Sequence, residues 1–212
     1  MHRVTKIAPG DIEGESFRMI EAEFFQQTGK AIESFDAAEF AVLRRAIHAT
    51  GDFSFSESIC FSTGSVSAGI AAIRAGKNIL TDVNMAAAGI SRNLLDSFGG
   101  KVICKVAEPD IAKLAKKRNK TRSQTAIEEG MLENIGIVAI GNAPTALLSV
   151  MEMIQKGTVK PDLVVGVPVG FVNAPESKEI LSEQGFPHIT CLGRKGGTTV
   201  SVAIVNALIR LS

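Results

Sequence analysis

From residue 77 onward, continuous apolar runs of strand length alternate with longer stretches of helical periodicity. The strand-like runs are "KNILTDV", "KVICKVAE", "GIVAIGN", "DLVVGVPV" and "HITCLG". Among and after them come "TRSQTAIEEGML", "APTALLSVMEMIQKG", "ESKEILSEQG" and "TTVSVAIVNALIRL". An unbroken apolar run buries both faces of its strand, which a sheet allows only when helices cover it on both sides. The pattern therefore predicts an α/β protein, a three-layer α/β/α arrangement around a mostly parallel, doubly wound sheet. In such sheets functional residues collect at the carboxyl ends of the strands. Here the runs empty into loops of small or polar residues: "TDVNMAAAG", "GNAPT", "GVPVGFVNAPESK" and "GRKGGTT".

The first third reads differently. A helix is expected to begin after Ser16, with Phe17, Ile20 and Phe24 on one face and Ser16 as its cap. A second runs from about Asp36 to Ala49, turning Phe40, Leu43 and Ile47 inward. "FSFSESICFS" alternates weakly and reads as a strand, and "VSAGIAAIRAG" as a short helix closed by Gly76. No repeat or linker divides the 212 residues, so one domain spanning 1–212 is expected.

Composition excludes several function classes. Lys and Arg number 23 against 22 Asp and Glu, and a net charge of +1 gives no field for nucleic acid or an anionic membrane. There is no Trp or Tyr to stack on bases. No apolar run approaches the roughly 18 residues of a membrane span, and "MHRVTKIAPGDIEGES" lacks the apolar core of a signal peptide. Cys60, Cys104 and Cys191 form no C-x-x-C pair, which fits a reducing cytoplasm. Neither G-x-G-x-x-G nor a Walker A loop occurs, which argues against a dinucleotide enzyme. Asp82 ends a strand where it would suit a ribose or a metal, but no second carboxylate or His stands near it, so no metal site is expected.

Three histidines remain as titratable candidates. His2 lies in a loose terminus and His188 opens a strand as a structural residue. His48, in "RRAIHATGDFSF", sits off the apolar stripe of its helix, with Arg44 and Arg45 one turn back. Those cations disfavour a proton on the ring, whereas the helix end and any docked anion favour one. Such an imidazole is either a solvated helix-ending residue or a general acid that gains its proton as an anion arrives. "AIGNAPTALL" reads as a strand, a tight turn and a helix with Pro144 in its first turn. Its turn N–H groups either face an anion, with Asn142 and Thr145 beside it, or simply close the turn. In "LGRKGGTTV" the glycines permit close approach, Arg194 and Lys195 add charge, and Thr198 or Thr199 can cap the last helix. That loop reads as a carboxylate or phosphate site, or as a flexible turn. Thr121 is a predicted N-cap, and Arg122 after it occupies a first turn where a cation is unfavourable, so it either reaches out to a carboxylate or is a surface residue.

Seven stretches together resemble the precorrin-8X methylmutases of cobalamin biosynthesis: "IEGESF", "RAIHATGDF", "TDVNMAAAGI", "NKTRS", "IGNAPTAL", "GVPVGFVNAPESK" and "LGRKGGTTVSVAIVNAL". They extend from residue 12 to 208. "IHATGDF", "FGG" and "LGRKGG" look more like the cobalt-precorrin-8 branch than the cobalt-free one. The resemblance implies an isomerase that moves a methyl group from C-11 to C-12 of the macrocycle as a [1,5]-sigmatropic shift. It implies no cofactor, since any cobalt is carried by the substrate. It places His48 as the acid/base, and Ser16 and Arg122 as substrate contacts. It also implies a homodimer with sites near the subunit interface, and neighbouring pathway enzymes as possible partners. Arg194, Lys195, Asn142 and Thr145 are added on chemical grounds, to meet the carboxylates on the substrate rim. The competing reading is a carrier that holds a polycarboxylate tetrapyrrole without transforming it. "TGKAIESF", before the second helix, fits no block of the family pattern.

Overall fold

Among the described residues six strands form one sheet, and the apolar runs supply its centre. The computed structural model describes residues 6–212, so His2 lies outside the described residues. The strands are β1 (Ile59–Phe61), β2 (Asn78–Thr81), β3 (Val102–Ile103), β4 (Ile135–Ile140), β5 (Leu163–Gly166) and β6 (His188–Cys191). Their order is β1-β6-β5-β4-β2-β3. Every neighbouring pair is parallel except the edge strand β1, which runs antiparallel to β6 with Ile59 opposite Cys191. All residues of β4, β5 and β6 are buried, as continuous apolar runs require.

The two faces of the sheet carry separate cores. Along β4, Ile137 and Ala139 join one cluster, and Val138 and Ile140 the other. This is the period-2 alternation of a strand buried on both sides. The first cluster is closed by α1 (Ile12–Thr28), α2 (Ala37–Thr50), α4 (Ser65–Arg74) and α11 (Thr198–Leu211), through Phe24, Leu43, Ile73 and Ile204. The second is closed by α8 (Arg122–Gly130), α9 (Pro144–Gln155) and α10 (Ala174–Ser182), through Ile127, Leu147 and Leu181. The expected layered α/β/α architecture with a mostly parallel sheet is thus present. Phe24 meets Phe40 edge-on at 5.2 Å and Phe35 at 5.8 Å, which locks α1 onto the start of α2.

Four local expectations fail, each for a physical reason. The first helix starts at Ile12 rather than after Ser16. A 3₁₀ turn at Pro9–Asp11 leads into it, and acidic residues Glu13 and Glu15 occupy its first turn. Ser16 is consequently inside the helix, its hydroxyl donating to the Ile12 carbonyl at 2.9 Å, and caps nothing. The stretch read as a strand over residues 53–62 splits into one helical turn, α3 (Phe55–Ser58), followed by β1. Asp52 starts that turn by accepting the Ser54 N–H at 2.9 Å. "KVICKVAE" gives only the two-residue β3 at the sheet edge, ahead of α7 (Pro109–Arg118). The last helix begins with Gly197 as its N-cap, so neither Thr198 nor Thr199 caps it. Other boundaries agree: Asp36 caps α2 by accepting the Ala38 and Glu39 N–H groups, and Thr121 and Gln124 form a reciprocal capping box on α8. The unmatched "TGKAIESF" contains a 3₁₀ turn at Ile32–Ser34, just before the Asp36 cap.

Candidate active site

His48 lies in the last turn of α2 and is exposed. The helix stops three residues later because Gly51 adopts the left-handed conformation (φ 66°), its N–H bonding to the Ile47 carbonyl. The chain can therefore leave the core while the imidazole faces outward. Phe17 of α1 holds the ring from one side, edge-on, with centroids 5.4 Å apart. The guanidinium of Arg44 stacks on the same phenyl ring at 4.2 Å and pairs with Glu21. Arg45 pairs with Glu13 at 2.9 Å. Each cation next to His48 thus has a carboxylate partner.

His48 and Ser16 line one pocket of about 220 Å³, with Met19, Ile20, Ile47 and Phe53 as its apolar walls. The α1–α2 pairing creates it. Ser16, Met19, Ile20 and Glu23 follow the 0, 3, 4, 7 spacing of one face of α1, and that face borders the pocket.

The glycine-rich loop after β6 is fastened to the end of α2. Lys195 Nζ donates to Asp52 Oδ2 at 2.5 Å and to the Ser54 hydroxyl at 2.8 Å. The hydrogen bond from Lys195, followed by those from Ser54, holds the Asp52 carboxyl down to about 2. Lys195 is therefore a tie between the "RKGG" loop and the segment that follows His48. Arg194 stays free of carboxylates among the described residues, and its guanidinium lies 4.9 Å over the Phe171 ring. Phe171 and Val172 are themselves exposed, 77% and 78%, an apolar rim beside that cation. Loop and rim are joined through backbone: Gly170 N–H donates to the Arg194 carbonyl, and Gly197 N–H to Val167 at 2.7 Å.

The turn after β4 behaves otherwise. Its N–H groups were open to two readings, and the structure excludes the anion-facing one. The Gly141, Asn142 and Ala143 N–H groups all donate to the buried Asp82 carboxylate, at 3.1, 2.8 and 2.7 Å. Asp82 thereby takes the place a ligand anion would hold. Burial pushes its carboxyl up, and the three amide donors oppose that shift. The nucleotide or metal role considered for Asp82 has no room either, since both oxygens are already engaged and the residue is fully buried. Asn142 keeps an exposed side chain at this corner. The Thr145 hydroxyl lies 3.2 Å from that of Thr121, which brings the start of α9 beside the start of α8 and its exposed first residue, Arg122.

The candidate residues thus fall into two groups. His48, Ser16 and the Lys195–Asp52 tie belong to the α1–α2–α11 face. Arg122, Asn142 and Thr145 belong to the α8–α9 face. Among the described residues no hydrogen bond or ion pair links the groups directly. Their bridge is backbone contact: a Cβ on Gly141 would meet the Thr198 Cα at 2.7 Å, so only glycine lets the β4–α9 turn lie against the start of α11. His188 is structural as expected: it is buried, its Nδ1 is 2.9 Å from the Phe186 carbonyl, and burial pushes its imidazole down.

Sequence reasoning missed Asp52 as the partner of Lys195. The signal was the "GD" after the helix-ending glycine, a carboxylate placed by a turn with no cation nearby in sequence. It also missed Phe17 as the support of His48, because the 30 residues between them hide the α1–α2 pairing.

Comparison with known proteins bears on the whole of this arrangement. The precorrin-8X methylmutase family profile matches residues 11–211. A cobalt-precorrin-8 methylmutase of Priestia megaterium is 40% identical over 203 residues, covering 95% of this chain and 88% of that protein. A precorrin-8X methylmutase of Pseudomonas aeruginosa is 44% identical over 167 residues, covering 77% of this chain and 80% of that one. The crystal structure of a precorrin-8X methylmutase from Thermus thermophilus superposes with a TM-score of 0.83 at 41% identity, over 95% of this chain and 96% of that one. With its profile match, its sequence relatives and its fold in agreement, the chain belongs to the precorrin-8X methylmutase family.

Proposed function

We propose that the protein is an isomerase of cobalamin biosynthesis that moves the C-11 methyl group of precorrin-8, or of its cobalt form, to C-12, with His48 as the acid. The observation that carries this reading is the shared pocket: an exposed imidazole, braced by Phe17, opens onto the same apolar cavity as Ser16. Protonating a ring nitrogen withdraws electron density from the conjugated system. The C-11–methyl bond then breaks as the C-12–methyl bond forms, and the proton returns to His48. No group is gained or lost, so the reaction needs no cofactor beyond whatever cobalt the substrate carries. General acid catalysis of this kind contributes about 10²–10⁴-fold.

A cavity of about 220 Å³ is smaller than the roughly 300–1,000 Å³ of typical ligand pockets. The macrocycle therefore extends beyond it, towards the Phe171–Val172 rim and Arg194, whose charge suits a rim carboxylate. The first-turn N–H groups of α11, which no side chain caps, supply a further anion site. Arg122, with Asn142 and Thr145, lies on the other face and meets a more distant carboxylate. In a homodimer a second subunit would add the missing walls. Relatives under both the cobalt and the cobalt-free names match at similar identity, 40% and 44%. The "IHATGDF", "FGG" and "LGRKGG" signatures favour the cobalt substrate, and the faster of the two substrates in a visible-absorption assay decides it. Binding of both without conversion of either would replace the isomerase with a carrier.

A further inference from the structure

Lys178 is completely buried although it belongs to a surface helix, α10, and among the described residues it has no carboxylate partner. Its Nζ instead donates to one backbone oxygen, the carbonyl of Lys195, at 2.6 Å. The buried thiol of Cys191 donates to the same oxygen at 3.3 Å. Burial pushes the lysine amine down and the Cys191 thiol up to about 11, so the thiol stays protonated and keeps its role as donor. Burying an amine is costly unless it is hydrogen-bonded, and the Lys195 carbonyl is the acceptor this one has. The carbonyl it holds is in the middle of the loop that carries Arg194 outward, sends the Lys195 side chain to Asp52 and opens the start of α11. That loop passes very close to the end of β5: a Cβ on Gly196 (φ 144°) would lie 2.4 Å from the carbonyl oxygen of Val167, the next residue after the strand. Its backbone path is therefore narrow, and Lys178 fixes it from beneath.

We infer that Lys178 is a positioning residue for substrate binding, one that holds the Lys195 carbonyl so that Arg194 and the open N-terminus of α11 face the substrate carboxylates. This rests on the proposed substrate reading, since it assigns the loop to carboxylate recognition. Lys178 touches neither the His48 pocket nor the reacting atoms, so its loss should appear in KM and not in kcat. Lys178→Met keeps the aliphatic stem and removes the donor. With precorrin-8X as substrate, KM should rise about tenfold, the loss expected for one charge-assisted contact, with kcat within about twofold of wild type. Lys178→Arg, which restores a donor, should recover most of the loss. Lys178→Gln, whose donor is one atom too short, gives the same split to a smaller extent and serves if the methionine variant does not fold. Amide exchange at residues 194–199 should speed in the Met and Gln variants and not in the Arg variant. An unchanged KM, a fall in kcat at constant KM, or unchanged exchange in that segment would overturn the inference. If wild-type protein converts no precorrin-8X, the substrate reading has failed, and the exchange comparison alone decides whether Lys178 holds the loop.

Discussion

The turn after β4 and the turn before α11 look alike in sequence, both short, glycine-containing and followed by a helix, yet they treat charge in opposite ways. In the first, "GNAPT", the three N–H groups that could receive an anion are filled from within by Asp82. In the second, "GRKGGTT", the helix start has no side-chain cap, and Arg194 stands beside it. One turn is closed and structural, the other open and suited to a ligand. They touch through Gly141 and Thr198, so the rigid junction sets the position of the open one. A substrate with several carboxylates needs both properties at the carboxyl ends of the strands: a fixed frame and unsatisfied donors.

Breaking the closed turn should have the largest effect. Asp82→Ala removes the acceptor of three N–H groups, two of them buried, and with about 1–3 kcal/mol for each orphaned donor, partly relieved by relaxation, a loss of about 3–5 kcal/mol in urea unfolding is expected. A loss below about 1 kcal/mol would mean that the turn supports itself and that the contrast between the turns is false. Next comes the contact between them. Gly141→Ala pushes a methyl group into the Thr198 backbone and should cost about 1–3 kcal/mol, with KM rising because the start of α11 moves. A KM unchanged despite lost stability would show that the open turn does not depend on the closed one.

These contrasts also mark what the sequence could convey. The layered fold was legible because β4, β5 and β6 are continuous apolar runs, a local signal with a direct physical meaning. His48 was legible as exposed because it falls off the Phe40–Leu43–Ile47 stripe. The Asp82 knot was not, since its partners lie 59 to 61 residues away and a carboxylate after a strand looks the same whether it meets amides or a ligand. The start of α1 was misread because Ser16 is a good capping residue that happens to sit where the helix has already formed. Helix ends depend on which N–H groups lack partners, and that is settled by the preceding 3₁₀ turn at Pro9–Asp11. The division of the candidate residues between two faces of the sheet had no sequence signal at all.

The open turn can be probed more gently. Arg194→Met should raise KM about tenfold, one carboxylate contact, while stability stays within about 0.5 kcal/mol because the side chain is a surface residue. An unchanged KM would remove Arg194 from the substrate site. The smallest effect belongs to the Lys195–Asp52 tie. Asp52 is lowered from 3.8 to about 2, so its contribution is fully present above pH 4 and is lost as pH falls through about 2. Asp52→Asn should cost less than about 1 kcal/mol at pH 7, as exposed pairs do, and the difference from wild type should shrink through about pH 2 and vanish below it. A difference that instead grew on acidification would contradict the pairing.

The most direct test of the account is conversion of precorrin-8X and of its cobalt form by wild type and His48→Ala, followed by the visible absorption of the macrocycle alongside equilibrium binding. The account predicts conversion by wild type and a kcat lowered about 10²–10⁴-fold in the variant, with binding retained. Conversion at the wild-type rate by His48→Ala would contradict it.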